Sequence, residues 1–347
     1  MGFPVVSYDR ACIDEAGKTL ANSDSSVDGI VSAKELINDW RASHYYPIST
    51  IQAPLRYKAK AVDENAIIVQ RLKKIQSIQR KLEYNGTLTN YLSDMQDIGG
   101  CRVILGTISS VNNLYTALKS STWKHTLINE KDYIRKPKNT GYRGVHLIYE
   151  YYSKKNSSYN GMRVEIQIRT HLQHLWATAV ETVGIFTNNE LKSNKGNVDW
   201  LRFFALVSSL FAIEEKCKCI PHTPCSKDEI VEELKILDSR LNFSKTLGAI
   251  HSAVSIFDET RIKPNDIFLL TLGKGNENTN IISYKSKFKI EANKKYLELE
   301  NVTGDKQTDV VLVSASSLDS LRKAYPNYFM DIGEFVFALQ EHGVIEK

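Results

Sequence analysis

No apolar run in these 347 residues approaches membrane-spanning length, so no membrane partner is expected. Residues 1–25 lack the basic-then-apolar order of a secretory signal, which makes the cytoplasm the expected compartment. Cysteine is scarce, five in all, too few for a disulfide scaffold. A Gly-x-Ser-x-Gly elbow is missing, and nothing else marks a serine or cysteine as an activated nucleophile. Repeats and low-complexity tracts are absent. Charge is close to balanced, 45 Lys+Arg against 40 Asp+Glu, for a net of +5. That mild excess permits a nucleic-acid partner without demanding one. What remains is an ordinary globular composition, 42% hydrophobic and 24% charged, long enough for two domains.

Cys12 and Cys101 stand alone. Cys217, Cys219, His222 and Cys225 fall close together and have the types that hold Zn²⁺, but without the distant second ligand pair of common zinc modules. A linker between helices is the preferred reading of this stretch, with zinc as the alternative.

Three segments carry the chemistry. The first runs from Asp132 to His146 and contains Lys136, Lys138, Gly141, Tyr142, Arg143 and Gly144 before a strand-like run, 145–151. A tyrosine on a glycine-flanked loop offers a flat face to a base, and the surrounding cations suit phosphates. In the second, Asp97 precedes Gly99, Gly100 and the apolar strand that holds Arg102. The third, Val164 to Thr170, alternates strictly, so Glu165, Gln167 and Arg169 share one strand face. Charged groups on the inner face of a sheet are costly unless paired or bound to metal. Asp97 and Glu165 on neighbouring strands make a natural Mg²⁺ site for nucleotide phosphates, or else belong to ordinary ion pairs.

Together these segments resemble the synthetase domain of the RelA/SpoT family, which transfers pyrophosphate from ATP to a nucleotide hydroxyl. The resemblance runs from about Leu55 to Glu181 and includes Arg56-Tyr57-Lys58 and Arg71-Leu72-Lys73-Lys74. It implies that Arg56 and Arg102 sandwich adenine, and that Lys58, Arg71 and Lys74 hold the triphosphate. It further implies that Asp97 and Glu165 coordinate Mg²⁺, and that Tyr142 stacks on the acceptor base near Lys138, Arg143, His146 and Gln167. Glu165 is the candidate for the hydroxyl's proton. Thr140 and Gly144 stand where the family often has asparagine and serine. The family's Trp-Ala-x-x-Glu-His becomes Trp176-Ala177-Thr178-Ala179-Val180-Glu181-Thr182. No histidine–aspartate pair of the kind used by the family's hydrolase half is present, so a synthetase without hydrolase is expected.

Along the chain, residues 1–30 read as a short polar cap, and Ser32 to Glu35 as a capping box opening a helix through Ala42. Residues 64–82 repeat apolar positions at helical spacing and carry a basic face. Helices are expected at 110–119, 171–185, 198–216 and 226–242, and strands at 101–105 and 163–169. This pattern predicts an α+β fold with a mixed, nucleotidyltransferase-like sheet. Lys263-Pro264-Asn265-Asp266 breaks the chain into 1–262 and 263–347. The second part carries strands at 267–272, 281–284 and 309–313, a helix at 287–300, and two closing helices.

Tyr325 and Tyr328, with Pro326 between them, read either as aromatics on an exposed turn or as half-buried residues at a helix entry. Here the layout resembles the CapRel-type fused toxin–antitoxin proteins, a synthetase followed by a small zinc-finger-like α/β domain without metal. That resemblance implies that Tyr325 and Tyr328 block the adenine pocket and that a phage capsid protein releases them. It also implies that the acceptor is the 3′ end of tRNA; GTP or GDP is the alternative.

Overall fold

A computed structural model of the chain describes residues 8–22, 24–83, 91–187, 197–247, 267–272, 280–285, 309–314 and 332–346, with isolated positions between them. Three helices lead: α1 (Arg10–Ala21), α2 (Val27–Ser43) and α3 (Tyr45–Val62). Next come β1 (Ile67–Leu72), α4 (Ile75–Glu83), β2 (Gly99–Leu105) and α5 (Ile108–Lys119). β3 (Thr126–Asp132), β4 (Val145–Glu150) and β5 (Arg163–Thr170) follow. Helices α6 (His171–Phe186), α7 (Val198–Glu214) and α8 (Lys227–Leu241) precede β6 (Ile267–Leu272), β7 (Asn280–Tyr284) and β8 (Asp309–Ser314). Helix α9 (Gly333–Glu341) is the last described element.

The strands form one sheet in the order β3-β4-β5-β2-β1-β8-β6-β7. Only β2 and β5 run parallel among the described pairs, so the sheet is mixed and the fold α+β. Alternation in β5 sends Val164, Ile166 and Ile168 to one side, where they meet Cys101 and Val103 of β2 and Leu147 of β4. Helices α3 and α5 cover that side through Ile48, Ile51, Leu55, Val111 and Leu114. A second core joins α6, α7 and α8; its centre is Phe203, Phe204 and Phe211 of α7, a helix apolar on nearly every side. No helix among the described residues is long and apolar enough to cross a membrane.

Three expectations need correction. The polar start is not a cap but helix α1, whose Ile13, Ala16 and Leu20 pack on Ala33 and Ile37 of α2. Helix α2 begins five residues before the expected capping box. Ser26 is its N-cap, taking the Gly29 N–H at 3.1 Å, and Ser32 lies inside the helix. Residues 64–82 are not one helix. The β-branched run Ile67-Ile68-Val69 forms β1, paired on both edges, and only 75–83 keep helical spacing.

Beyond residue 262 the expected strands form, but they do not make a sheet of their own. β8 pairs with β1 through Gln70↔Ser314 and Arg71↔Val313, and β6 and β7 continue from it. Helix α9 returns to the second core, where Phe335 meets Phe204 and Phe211 at ring-centroid distances of 6.3 and 6.0 Å. Residues 263–266, Tyr325 and Tyr328 lie outside the described residues. Deleting the Phe335 side chain, 1% exposed, should cost about 3–5 kcal/mol of stability in urea unfolding. A loss under about 1 kcal/mol for Phe335→Ala would show that α9 does not belong to this core.

Candidate active site

The register of four strands builds the site. Parallel pairing sets Gly100 beside Glu165 and Arg102 beside Gln167. Antiparallel pairing then adds Arg71 next to Gly100, and His146 next to Gln167. Residues side by side on neighbouring strands point to the same face, so Arg71, Arg102, Glu165, Gln167 and His146 line the face opposite α3 and α5. Close approach here depends on glycine: a Cβ at Gly100 would stand 2.6 Å from the Glu165 carbonyl oxygen. At Gly99 a Cβ would instead meet the Ile48 side chain, 2.4 Å from its Cδ1.

Five side chains on this face close a ring of hydrogen bonds. His146 Nδ1 lies 2.8 Å from Glu165 Oε1, and His146 Nε2 lies 2.5 Å from the Tyr142 hydroxyl. Arg169 Nη2 donates to that hydroxyl at 2.6 Å and to Gln167 Oε1 at 3.1 Å. Gln167 Nε2 completes the ring by donating to Glu165 Oε2 at 2.6 Å. A carboxylate only accepts, so in the neutral imidazole Nδ1 carries the hydrogen and Nε2 accepts from Tyr142. Burial alone would push the Glu165 carboxyl up; the hydrogen bond from His146 and the positive charge of that ring when protonated, aided by Gln167, outweigh it and hold it below its usual range.

Tyr142 is not raised into solvent as its loop suggested. It is half-buried, edge-on to Tyr133 and His146, with the Arg169 guanidinium 5.0 Å and Lys138 Nζ 5.4 Å from its ring centre. Lys138 also lies 4.7 Å from the Tyr133 ring, and burial lowers its pKa. The loop is bolted to α7: Ser208 Oγ donates to Gly141 O at 2.6 Å.

The charge of Asp97 reaches Glu165 and opposes its ionisation. Lys73 Nζ holds one of its oxygens at 2.8 Å and Lys81 Nζ the other at 3.0 Å. Burial would raise the Asp97 carboxyl, but the two lysine charges win and keep it well below the carboxylate range. Burial in turn lowers Lys73 against the pull of Asp97. Both carboxylates are therefore ionised, hard oxygen donors. Mg²⁺ needs only one or two such groups besides water and phosphate oxygens, so the donor set fits that ion. Among the described residues no group of three or more His, Cys, Asp or Glu is arranged for a metal, and 215–226, with the clustered cysteines, simply link α7 to α8.

The other expected residues divide between the two sides of the sheet. Arg71 sits on β1, not on a helix, and Lys74 follows at the β1–α4 junction; both are half-buried. Arg102 is half-buried on β2. Arg56 is exposed on α3, and Lys58 reaches Ala117 O of α5 at 3.4 Å, on the helix-covered side. Arg143 does not face an acceptor. It is 3% exposed and donates to Ser208 Oγ, Ile134 O and Lys218 O, which makes it a clamp for the loop. Lys154 and Lys155 are exposed beyond the other end of β4, away from Tyr142. Lys73, Lys81 and the ring role of Arg169 were missed. The signal was available for the lysines: Asp97, half-buried just ahead of a strand, needed cations from the preceding element.

Comparison with known proteins meets this geometry. Residues 70–189 match the region found in RelA / SpoT proteins. That RelA/SpoT region contains all three segments that carry the resemblance. The chain is 33% identical over 124 residues to the GTP pyrophosphokinase YwaC and 32% over 114 residues to the GTP pyrophosphokinase YjbM, both of Bacillus subtilis (strain 168). These alignments take in 35% and 32% of this chain and span 59% and 52% of the relatives' lengths. Among solved structures, small alarmone synthetase 1 from Bacillus subtilis bound to its product pppGpp aligns over 50% of this chain and 89% of its own, at 21% identity and TM-score 0.43. Small alarmone synthetase 2 from the same organism aligns over 51% and 95%, at 24% identity and TM-score 0.43.

Two outcomes follow from the electrostatics. Arg143→Ala should destabilise the fold by about 1.5–3 kcal/mol, read from the denaturation midpoint, because three acceptors lose a buried donor. An unchanged midpoint would return Arg143 to the surface. Asp97 contributes stability that is present above the ordinary carboxylate range and lost as pH falls through its depressed folded value. Between pH ~5 and ~2, wild type should therefore lose about 1–3 kcal/mol more than Asp97→Asn. Parallel pH curves for the two would refute the lysine clamp.

Proposed function

We propose that this chain is a pyrophosphokinase: it transfers the β,γ-pyrophosphate of ATP to a hydroxyl of a nucleotide acceptor. The observation that carries the reading is the pairing, on one sheet face inside the RelA/SpoT region, of a cation-flanked carboxylate, Asp97, with the polar ring around Glu165. Such a transfer needs positioning and charge neutralisation more than covalent help. Arg71, Lys73, Lys74 and Lys81 hold the donor phosphates, and Arg102, on the same face, takes the adenine. Asp97 and Glu165 would hold Mg²⁺, which, when bound, neutralises phosphate charge. Tyr142 stacks on the acceptor base, beside Lys138, His146 and Gln167. Glu165 takes the proton of the attacking hydroxyl, whose oxygen forms the new bond to the β-phosphorus as AMP leaves.

The finer reading concerns acceptor and restraint. Its lead form is an autoinhibited toxin that modifies the 3′ end of tRNA and blocks translation. Residues 1–262 would catalyse, and 263–347 would both restrain and sense a phage capsid protein, with Tyr325 and Tyr328 as the plug of the adenine pocket. It rests on the CapRel-type resemblance; the pairing of β8 beside Arg71 supports a restraint that acts on the donor side. A tethered plug works at an effective concentration near millimolar, so weak stacking suffices. Synthesis of guanosine tetraphosphate from GTP or GDP is the second reading, favoured by the pyrophosphokinases YwaC and YjbM.

The full chain carrying Tyr325→Ala and Tyr328→Ala, given γ-³²P-ATP with deacylated tRNA and GTP together, separates these. Label in tRNA supports the first acceptor, label in guanosine tetraphosphate the second, and label in neither overturns the enzyme. Wild type should be slower than this variant; equal rates sink the plug. In the active background Glu165→Gln should lower transfer by about 10²–10⁴-fold with ATP affinity little changed.

A further inference from the structure

Arg169 is 6% exposed, yet among the described residues it forms no ion pair. Its Nη2 donates to two neutral oxygens, Tyr142 Oη and Gln167 Oε1, and its buried Nε has no partner among the described residues. For charge it has the face of Tyr142, 5.0 Å from ring centre to guanidinium. A buried cation held only by neutral acceptors and a π-face is costly unless an anion is to arrive. Room for it comes from residue 144. A Cβ at Gly144, where φ is +147°, would stand 3.1 Å from Arg169 Cγ and 3.5 Å from its Nε. The departure at Gly144 and the placement of Arg169 are thus one feature.

We propose that Arg169 is the phosphate-binding residue of the acceptor subsite. When a base stacks on Tyr142, the guanidinium leaves the ring and takes a phosphate of the same nucleotide. The planar fork of arginine matches a phosphate through two parallel N–H···O bonds. Lys138, on the same tyrosine ring, supplies a second positive charge. The ligand is a phosphate-bearing nucleotide, either free or at the end of an RNA strand. This deepens the pyrophosphokinase reading and rests on it for the use made of the ligand.

Calorimetric titration of the full chain with guanosine, GDP and a short RNA hairpin ending in CCA tests the assignment. Arg169→Ala should weaken a phosphate-bearing probe by about tenfold or more and leave guanosine unchanged; the probe that responds identifies the source. Arg169→Lys should recover part of the loss. Gly144→Ser keeps the guanidinium but crowds its stem, so it should act in the same direction as Arg169→Ala. Equal losses for guanosine and GDP, or no loss for either phosphate-bearing probe, overturn the proposal. A chain carrying Tyr325→Ala and Tyr328→Ala that binds no ATP sinks the pyrophosphokinase reading, while the guanosine-to-GDP comparison still decides Arg169.

Discussion

Parallel pairing of β2 with β5 is the constraint on which the site depends. It brings backbone to backbone at Gly100 and Glu165, where any side chain on Gly100 would collide with the Glu165 carbonyl. From that register come the adjacency of Arg102 and Gln167 and the nearness of Asp97 to Glu165. The opposite face of the same strands is the core against α3 and α5, so a one-residue slip of β5 would bury Glu165, Gln167 and Arg169 in hydrocarbon. The energetic demand of the core therefore holds the polar groups in register.

Electrostatics divides the face into two ends. At one, Asp97 sits between Lys73 and Lys81 at the mouth of β2. At the other, the ring through Glu165, His146, Tyr142, Arg169 and Gln167 fixes each side chain by its neighbours. Oriented dipoles and charges held in a half-buried place need little rearrangement when charge develops on a reactant, and this is the most effective form of electrostatic catalysis. Helix α7 supports the second end through Ser208, and the 215–226 linker supports it through Lys218 O on Arg143.

Much of this was legible in the chain. Strict alternation in 163–169 and the apolar runs at 101–105 and 145–151 identified three strands, and with them Glu165, Gln167, Arg102 and His146. Alternation reports only local phase, however. At 64–82 a strand and a helix abut, and a helical period fitted across both hid β1; Lys74 came from the resemblance, which passed over Lys73. Arg143 in a glycine-rich loop looks solvent-facing; its burial comes from acceptors at Ser208 and Lys218, far along the chain. Tyr142 likewise looked free because the cations that cover it come partly from β5. Pairings of this kind are set by tertiary packing and leave no local trace.

The central claim is that one polar sheet face is a two-substrate site, donor at Asp97 and acceptor at Tyr142. A crystal structure of the full chain carrying Tyr325→Ala and Tyr328→Ala, with a non-hydrolysable ATP analogue and Mg²⁺, tests it most directly. The account predicts triphosphate density against Arg71, Lys73 and Asp97, with the Tyr142 end left for the acceptor. Triphosphate on the helix-covered side near Lys58, or seated on Tyr142 itself, would contradict it.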